Sequence, residues 1–202
     1  MINLCCDKPP EAIKICGAEH PIRTDFLIWI KVQSLMRQLD GTGDDIAAKQ
    51  NFDVIAKIIN LVFEDPEQVV LNCSADDILT EVEKFLKGYD HPKSESDYTD
   101  RIDQKDIVSF EYDLDYIIIA IRNQTGLDLS YKRKESFHWW LFLLEFETLE
   151  EQHYISRLMS RRAYSGNDKE LIAIRENSKI PEAFTITRTQ QRENEQFNSY
   201  FK

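Results

Sequence analysis

The stretch Glu135–Arg162, ESFHWWLFLLEFETLEEQHYISRLMSRR, sets one imidazole, His138, beside two tryptophans and a run of further apolar residues. A histidine acting as a general base needs an orienting partner and a substrate pocket, and a metal needs further ligands. Helical spacing brings His138 only Glu135 on one side and Phe142 and Glu145 on the other, so it reads as a hydrogen-bonded structural residue. His153 lies in the following helix, and no spacing requires it to face His138. Asp113 and Asp115, in YDLDY, have the D-x-D form that holds a divalent metal in some transferases. In the first turn of a helix they are more simply surface carboxylates favoured by the helix dipole. Cys5, Cys6, Cys16 and His20 are the right types for zinc, but adjacent cysteines rarely converge on one ion. No C-x-x-C pair exists, and reduced thiols suit a cytosolic protein. Nor is there a phosphate-cradling glycine loop, a G-x-S-x-G or an H-E-x-x-H. These residues predict a binding protein without catalytic groups, cofactor or metal.

The elements that carry them are mostly helices. Ile13 and Ile15 alternate with Lys14 and Cys16, which predicts an N-terminal β-hairpin turning at Gly17-Ala18 and ending at Pro21. Thr24-Asp25 then offers a helix N-cap. Behind it Ile28, Val32, Leu35 and Leu39 fall on one stripe with Trp29 and Met36, and Gly41 and Gly43 end the run. A second helix, about 45–63, places Phe52, Ile55, Ile59 and Val62 on one face and stops at Asp65-Pro66. A third, about 74–87, buries Ile78, Val82 and Phe85 and closes on Gly88.

GYDHPKSESDYTDRIDQKD then interrupts the apolar pattern and reads as an exposed linker. Beyond it, Leu114, Ile117, Ile118 and Ile121 make a helical face, Tyr116 and Ile119 add apolar surface opposite, and Gly126 caps the end. That pattern predicts a helix covered from two directions. In the His-Trp-Trp helix, Phe137, Trp140, Leu141 and Leu144 form one face and Trp139, Leu143 and Phe146 a second, which predicts a central position. Tyr154, Ile155, Leu158 and Met159 mark the next helix, and Leu171 and Ile174 a shorter one.

The expected fold class is mainly α, a helical bundle-like protein with a small N-terminal β-hairpin. Its organisation is a hairpin segment at 1–23, a first helical half at 24–88, an acidic linker at 89–105, a second helical half at 106–180 and a polar tail at 181–202. Trp29, Ile117, Ile121, Trp139, Trp140 and Leu144 are the expected core.

With 202 residues, 42% hydrophobic and 30% charged, the chain has the composition of an ordinary globular protein. The net charge of −11 is unevenly spread: residues 41–125 hold eight basic against nineteen acidic side chains, and the segments on either side are balanced. Such a surface repels phosphate backbones, which excludes nucleic acid as the expected partner. The longest apolar runs, YIIIAI and WWLFLL, are far short of the ~20 residues that span a bilayer. The start MINLCCDKPP lacks the pattern of a signal peptide, so a cytosol is the expected location. The tail ends QFNSYFK, placing Phe197, Tyr200 and Phe201 on one helical turn. They form a candidate partner-binding face, for a second copy or another protein, or they fold back onto the same molecule.

HPIRTDFLIWI, YDLDYIIIAIRNQTGLDL, and SFHWWLFLLEFETL followed by Arg157 and Arg161 resemble, in this order and at these intervals, a family of long-tailed bacteriophage and prophage proteins. The family's genes commonly lie between those for the major tail protein and the tape-measure protein. The resemblance spans roughly Cys16 to Arg175, and His-Trp-Trp is its most specific part. Thr125 departs from the pattern, standing before Gly126 where an aromatic is usual. The resemblance implies a helical, non-enzymatic tail-morphogenesis protein, similar in role to tail assembly chaperones. Its implied partners are the tape-measure protein and the major tail protein, with homo-oligomers possible. A structural tail or tail-completion component of the virion is the alternative.

Overall fold

The computed structural model describes residues 4, 7–41, 45–88, 107–130, 133 and 135–199, with the backbone alone for 45–47 and 195–199. The expected linker at 89–105 and the residues Cys5, Cys6, Tyr200 and Phe201 lie outside the described residues. The protein is mainly α-helical with one small two-stranded antiparallel hairpin. Its chain divides into two compact units: Met1–Asp90 with His138–Trp140 and Ile186–Lys202, and His91–Phe137 with Leu141–Thr185. His138–Trp140, which the sequence assigns to a second half, thus belong to the first unit, as does the tail from Ile186.

In the first unit β1 (Ala12–Ile15) pairs with β2 (Ala18–Pro21), setting Ile13 opposite His20 and Lys14 opposite Glu19. The turn is centred on Cys16-Gly17, one residue before the expected Gly17-Ala18, and both residues have positive φ, 50° and 86°. Two-residue hairpin turns of this kind match the strand twist. The resulting register also places opposite charges across from each other at Lys14 and Glu19. Ile13, Ile15 and His20 are buried, and β1 packs against α4 (Ala75–Leu86).

Asp25 caps α1 (Phe26–Met36), its Oδ1 accepting from the Leu27 N–H at 3.1 Å. The buried face of α1 is Phe26, Trp29, Ile30 and Val32. It is rotated from the expected stripe, whose Ile28, Leu35 and Met36 are only half-buried, and the helix ends well before Gly41. α1 packs on α2 (Asp45–Val62), which buries Val54, Ile58, Ile59 and Val62. Phe52, expected on that face, is 73% exposed, because among the described side chains of α2 burial begins at Val54. Asp65-Pro66, read from sequence as a break, starts a further short helix, α3 (Pro66–Asn72). Asp65 accepts from the Gln68 N–H, and Pro66 stands at the first turn, where its missing N–H costs nothing. Ser74 caps α4, its side chain accepting from the Asp77 N–H, and Gly88 closes the helix as expected, at φ 88°.

In the second unit α5 (Leu114–Thr125) ends on Gly126 at φ 81°, whose N–H reaches the Arg122 carbonyl at 2.9 Å. Ile117, Ala120 and Ile121 are buried, but Tyr116 and Ile119 are 44% and 45% exposed. The helix is therefore covered from one direction, not two, and its outer apolar residues remain in contact with water. α6 (Trp139–Glu147) contributes Phe142, Leu143 and Phe146 to this unit's core, and Leu144 is half-buried. Phe110 meets Phe142 and Phe146 edge-on, with centroids 5.6 Å and 5.0 Å apart. α7 (Tyr154–Arg162) packs on both α5 and α8 (Lys169–Asn177), and α8 buries no residue fully.

The polar tail, which the sequence marks by composition alone, forms α9 (Arg188–Ser199) in the first unit. The Arg188 N–H donates to the Arg37 carbonyl at 2.9 Å and Thr189 Oγ1 accepts from the Gly41 N–H at 2.9 Å. Arg192 pairs at 2.6 Å with Asp40, whose side chain is fully buried. Polar clasps hold this segment where a hydrophobic pattern was absent. Phe197 lies on the backbone of α9.

Candidate functional site

The His-Trp-Trp stretch enters the first unit through a backbone bridge between Asp25 and His138, with the Trp139 N–H on the Thr24 carbonyl at 2.8 Å. His138 Nδ1 accepts from the Trp140 N–H at 3.0 Å, so the imidazole caps the first turn of its own helix. The ring proton is thereby assigned to Nε2, which donates to the Pro10 carbonyl at 3.0 Å. Both nitrogens are engaged, leaving neither for a substrate proton or a metal. Burial holds the His138 pKa below its ordinary value, against the opposing pull of the Pro10 carbonyl and the Glu11 carboxylate.

The two indoles that follow cap a different helix. Trp139 Nε1 donates to the Leu86 carbonyl and Trp140 Nε1 to the Phe85 carbonyl, both at 2.9 Å. These carbonyls lie in the last turn of α4, where intrahelical donors run out. The Phe85 ring lies 5.0 Å from Trp140, 5.9 Å from His138 and 4.4 Å from Trp29. Trp29 in turn donates through Nε1 to the Arg23 carbonyl at 2.9 Å. Trp29 and Trp139 are almost wholly buried, and Trp140 is 8% exposed. Each large ring thus has a partner for its polar atom, the condition for burying an indole cheaply. The arrangement is a structural clamp on the end of α4.

A second polar centre lies in the core of the second unit, and the sequence offered no spacing signal for it. Asp113, expected at the surface, is fully buried and receives Arg162 in a two-pronged pair, Nη1 to Oδ2 at 2.7 Å and Nη2 to Oδ1 at 3.0 Å. Arg162 also donates to the Ile107 carbonyl at 3.0 Å and through Nε to the Ser178 carbonyl at 2.6 Å. Asp113 Oδ2 further accepts from the Ser109 N–H at 3.0 Å. The carboxylate precedes the N-terminus of α5 and the guanidinium closes the C-terminus of α7, so each charge sits where the backbone dipole favours it. With its donors so engaged, the pair is a staple joining three chain segments, 107–113, the end of α7 and Ser178.

Cys16 and His20, weighed above as zinc-ligand types, lie on the hairpin and are not joined by further ligands. Among the described residues, no three His, Cys, Asp or Glu side chains converge as a metal site. The Cys16 pKa is pushed up to about 11 by its hydrogen bond with Cys73, by burial and by Asp77, which favours the thiol over the metal-binding thiolate. No helix among the described residues is long and apolar enough to cross a membrane.

The remaining apolar features are on the outside. Phe52 on α2 and Val70 and Leu71 on α3 are exposed in the first unit. In the second, Tyr116 and Ile119 of α5 stand with Tyr154 of α7, the two tyrosine rings 4.9 Å apart, and Leu171 and Ile174 of α8 are exposed as well. Of the expected partner-binding residues, Phe197 is placed by its backbone alone, and Tyr200 and Phe201 lie outside the described residues.

Neither the curated proteins nor the solved structures give a match to the chain. The family model described as Bacteriophage Gp15 protein matches residues 6–186, a span that contains both polar centres and all the helices before α9. The chain therefore belongs to the bacteriophage Gp15 family.

Proposed function

We propose that this protein acts in phage tail morphogenesis as a tail assembly chaperone that binds the tape-measure protein and assists polymerisation of the tail tube around it. Family membership carries this reading, together with the resemblance that associates the family with the tail gene region. The exposed apolar residues support it. A tape-measure protein is a long helical chain whose apolar stripes need cover before the tube encloses them, and Tyr116, Ile119 and Tyr154 offer a helical apolar face to such a partner. The acidic middle of the chain would keep a complex in solution and away from DNA. Release of the partner to the growing tube sets the host cytoplasm as the place of action.

Co-expression with the neighbouring tape-measure and major tail proteins tests this directly. The tape-measure protein should stay soluble and co-purify only when this chain is present. Mass spectrometry of purified virions distinguishes the alternative: a chaperone is absent from particles, whereas a tail or tail-completion component is present at fixed copy number.

A further inference from the structure

The hairpin edge carries a backbone position that no hydrogen bond among the described residues fills. Hydrogen-bonded pairs alternate along an antiparallel ladder. The Ile22 N–H on the Glu11 carbonyl at 2.9 Å sets the phase, so that residues 18, 20 and 22 turn their backbone groups toward β1 and residues 19, 21 and 23 turn theirs outward. Two of the outward positions are taken by the segment leaving α2. Arg23 donates to the Val62 carbonyl at 2.7 Å, and the Pro21 carbonyl accepts from Glu64 at 3.1 Å, flanking the Ile22–Phe63 bridge. That segment then turns away at Asp65 to begin α3. At Glu19 the outward N–H and C=O have no partner among the described residues.

A cavity of about 530 Å³ lies at this point, with Ile15, Cys16 and Ala18–Pro21 of the hairpin along one side and Asp65, Gln68, Asn72 and Cys73 along the other. This slot lies between the hairpin and α3. His20 lines it, only 7% exposed, and its Nε2 is buried without a hydrogen-bond partner among the described residues. Glu19 and Asp65 are the carboxylates of the lining, and no lysine or arginine is among the described residues that line it.

We propose that this slot takes an extended, lysine- or arginine-bearing peptide segment of a partner protein, which adds to β2 as a strand at Glu19. Main-chain pairing at the open position continues the line of Phe63 and Glu64, the cationic side chain lies between Glu19 and Asp65, and the Gln68 and Asn72 amides face the peptide from α3. One open backbone position gives a weak, exchangeable contact, with charge supplying much of the selectivity. The inference is independent of the tail-chaperone reading, because it concerns the chemistry of the segment and not the identity of the protein that carries it.

The test uses the isotope-labelled full chain, a blocked peptide of alternating valine and lysine, and the matching valine–glutamate peptide. The lysine peptide should shift the amide resonances of Glu19, Gln68 and Asn72 to saturation, and the glutamate peptide should not. Gln68→Trp, at an exposed helix position, fills the slot and should weaken binding by about tenfold, the consequence of losing one well-placed hydrogen bond and its contacts. Glu19→Gln keeps the strand, removes one charge and should weaken it by a smaller factor. The proposal falls if the lysine peptide shifts none of these amides, if both peptides bind alike, or if neither variant changes the affinity. It falls equally if N-acetyl-lysine amide alone produces the same shifts at the same concentration, since the site would then be a cation pocket and not a strand acceptor.

Discussion

Replacing Arg162 by Met would leave the Asp113 carboxylate at zero exposure with the Ser109 N–H as its remaining described hydrogen-bond donor. The guanidinium makes four donations in the structure, two to Asp113 and one each to the Ile107 and Ser178 carbonyls. Breaking a buried pair by removing one partner costs about 3 to 5 kcal/mol, chiefly because the remaining charge has neither water nor counter-ion. In a chain of this length that corresponds to a fall in Tm of roughly 6 to 20 °C. Asp113→Leu strands the cation instead and should cost a similar amount. The double variant Arg162→Met/Asp113→Leu removes both charges, so its loss should be smaller than the sum of the two by about 2 kcal/mol or more. It should not be neutral, since Ser109, Ile107 and Ser178 each lose a partner, at about 1 to 3 kcal/mol for each buried group left unmet. Urea unfolding followed by circular dichroism measures all three. Additive single losses, or a loss below about 1 kcal/mol for Arg162→Met, would refute the staple, since a group that important to the core could not be removed so cheaply.

Trp140→Ala removes a buried ring and an indole cap on α4, and should cost about 3 to 5 kcal/mol in the same unfolding assay. Because burial lowers the pKa of His138 from its ordinary 6.5, the folded state favours the neutral ring. Its contribution is complete above about pH 6.5 and is lost as pH falls from there through the folded-state value. The stability advantage of the wild type over His138→Asn, which can still cap Trp140 but cannot titrate, should therefore shrink on acidification; a widening gap in pH-dependent melts would reverse the sign and contradict the assigned tautomer. Tyr116→Ser/Tyr154→Ser, at exposed positions, should leave Tm within a few degrees while weakening co-purification with the tape-measure protein; unchanged co-purification would move the proposed contact elsewhere on the surface.

Local signals in the sequence determined where helices begin and end more securely than which faces they bury. Asp25 and Gly126 act within one or two turns of their own positions, so their capping roles were legible from residue type and neighbours. The mainly helical class with an N-terminal hairpin followed from the same short-range periodicity. Phe52 and Ile119 show the limit: both sit on apolar stripes, yet burial requires a second element to cover them, and periodicity does not say whether one arrives. The family likeness pointed to His-Trp-Trp, but its job depends on residues more than fifty positions away, where α4 presents the carbonyls of Phe85 and Leu86. Asp113 and Arg162, 49 positions apart, carry no sequence mark that they pair. An acid before a helix and an arginine at the end of another are ordinary surface residues until packing excludes water from both. Only the tertiary structure decided that, because desolvation, and not residue type or spacing, turns two common charges into a staple.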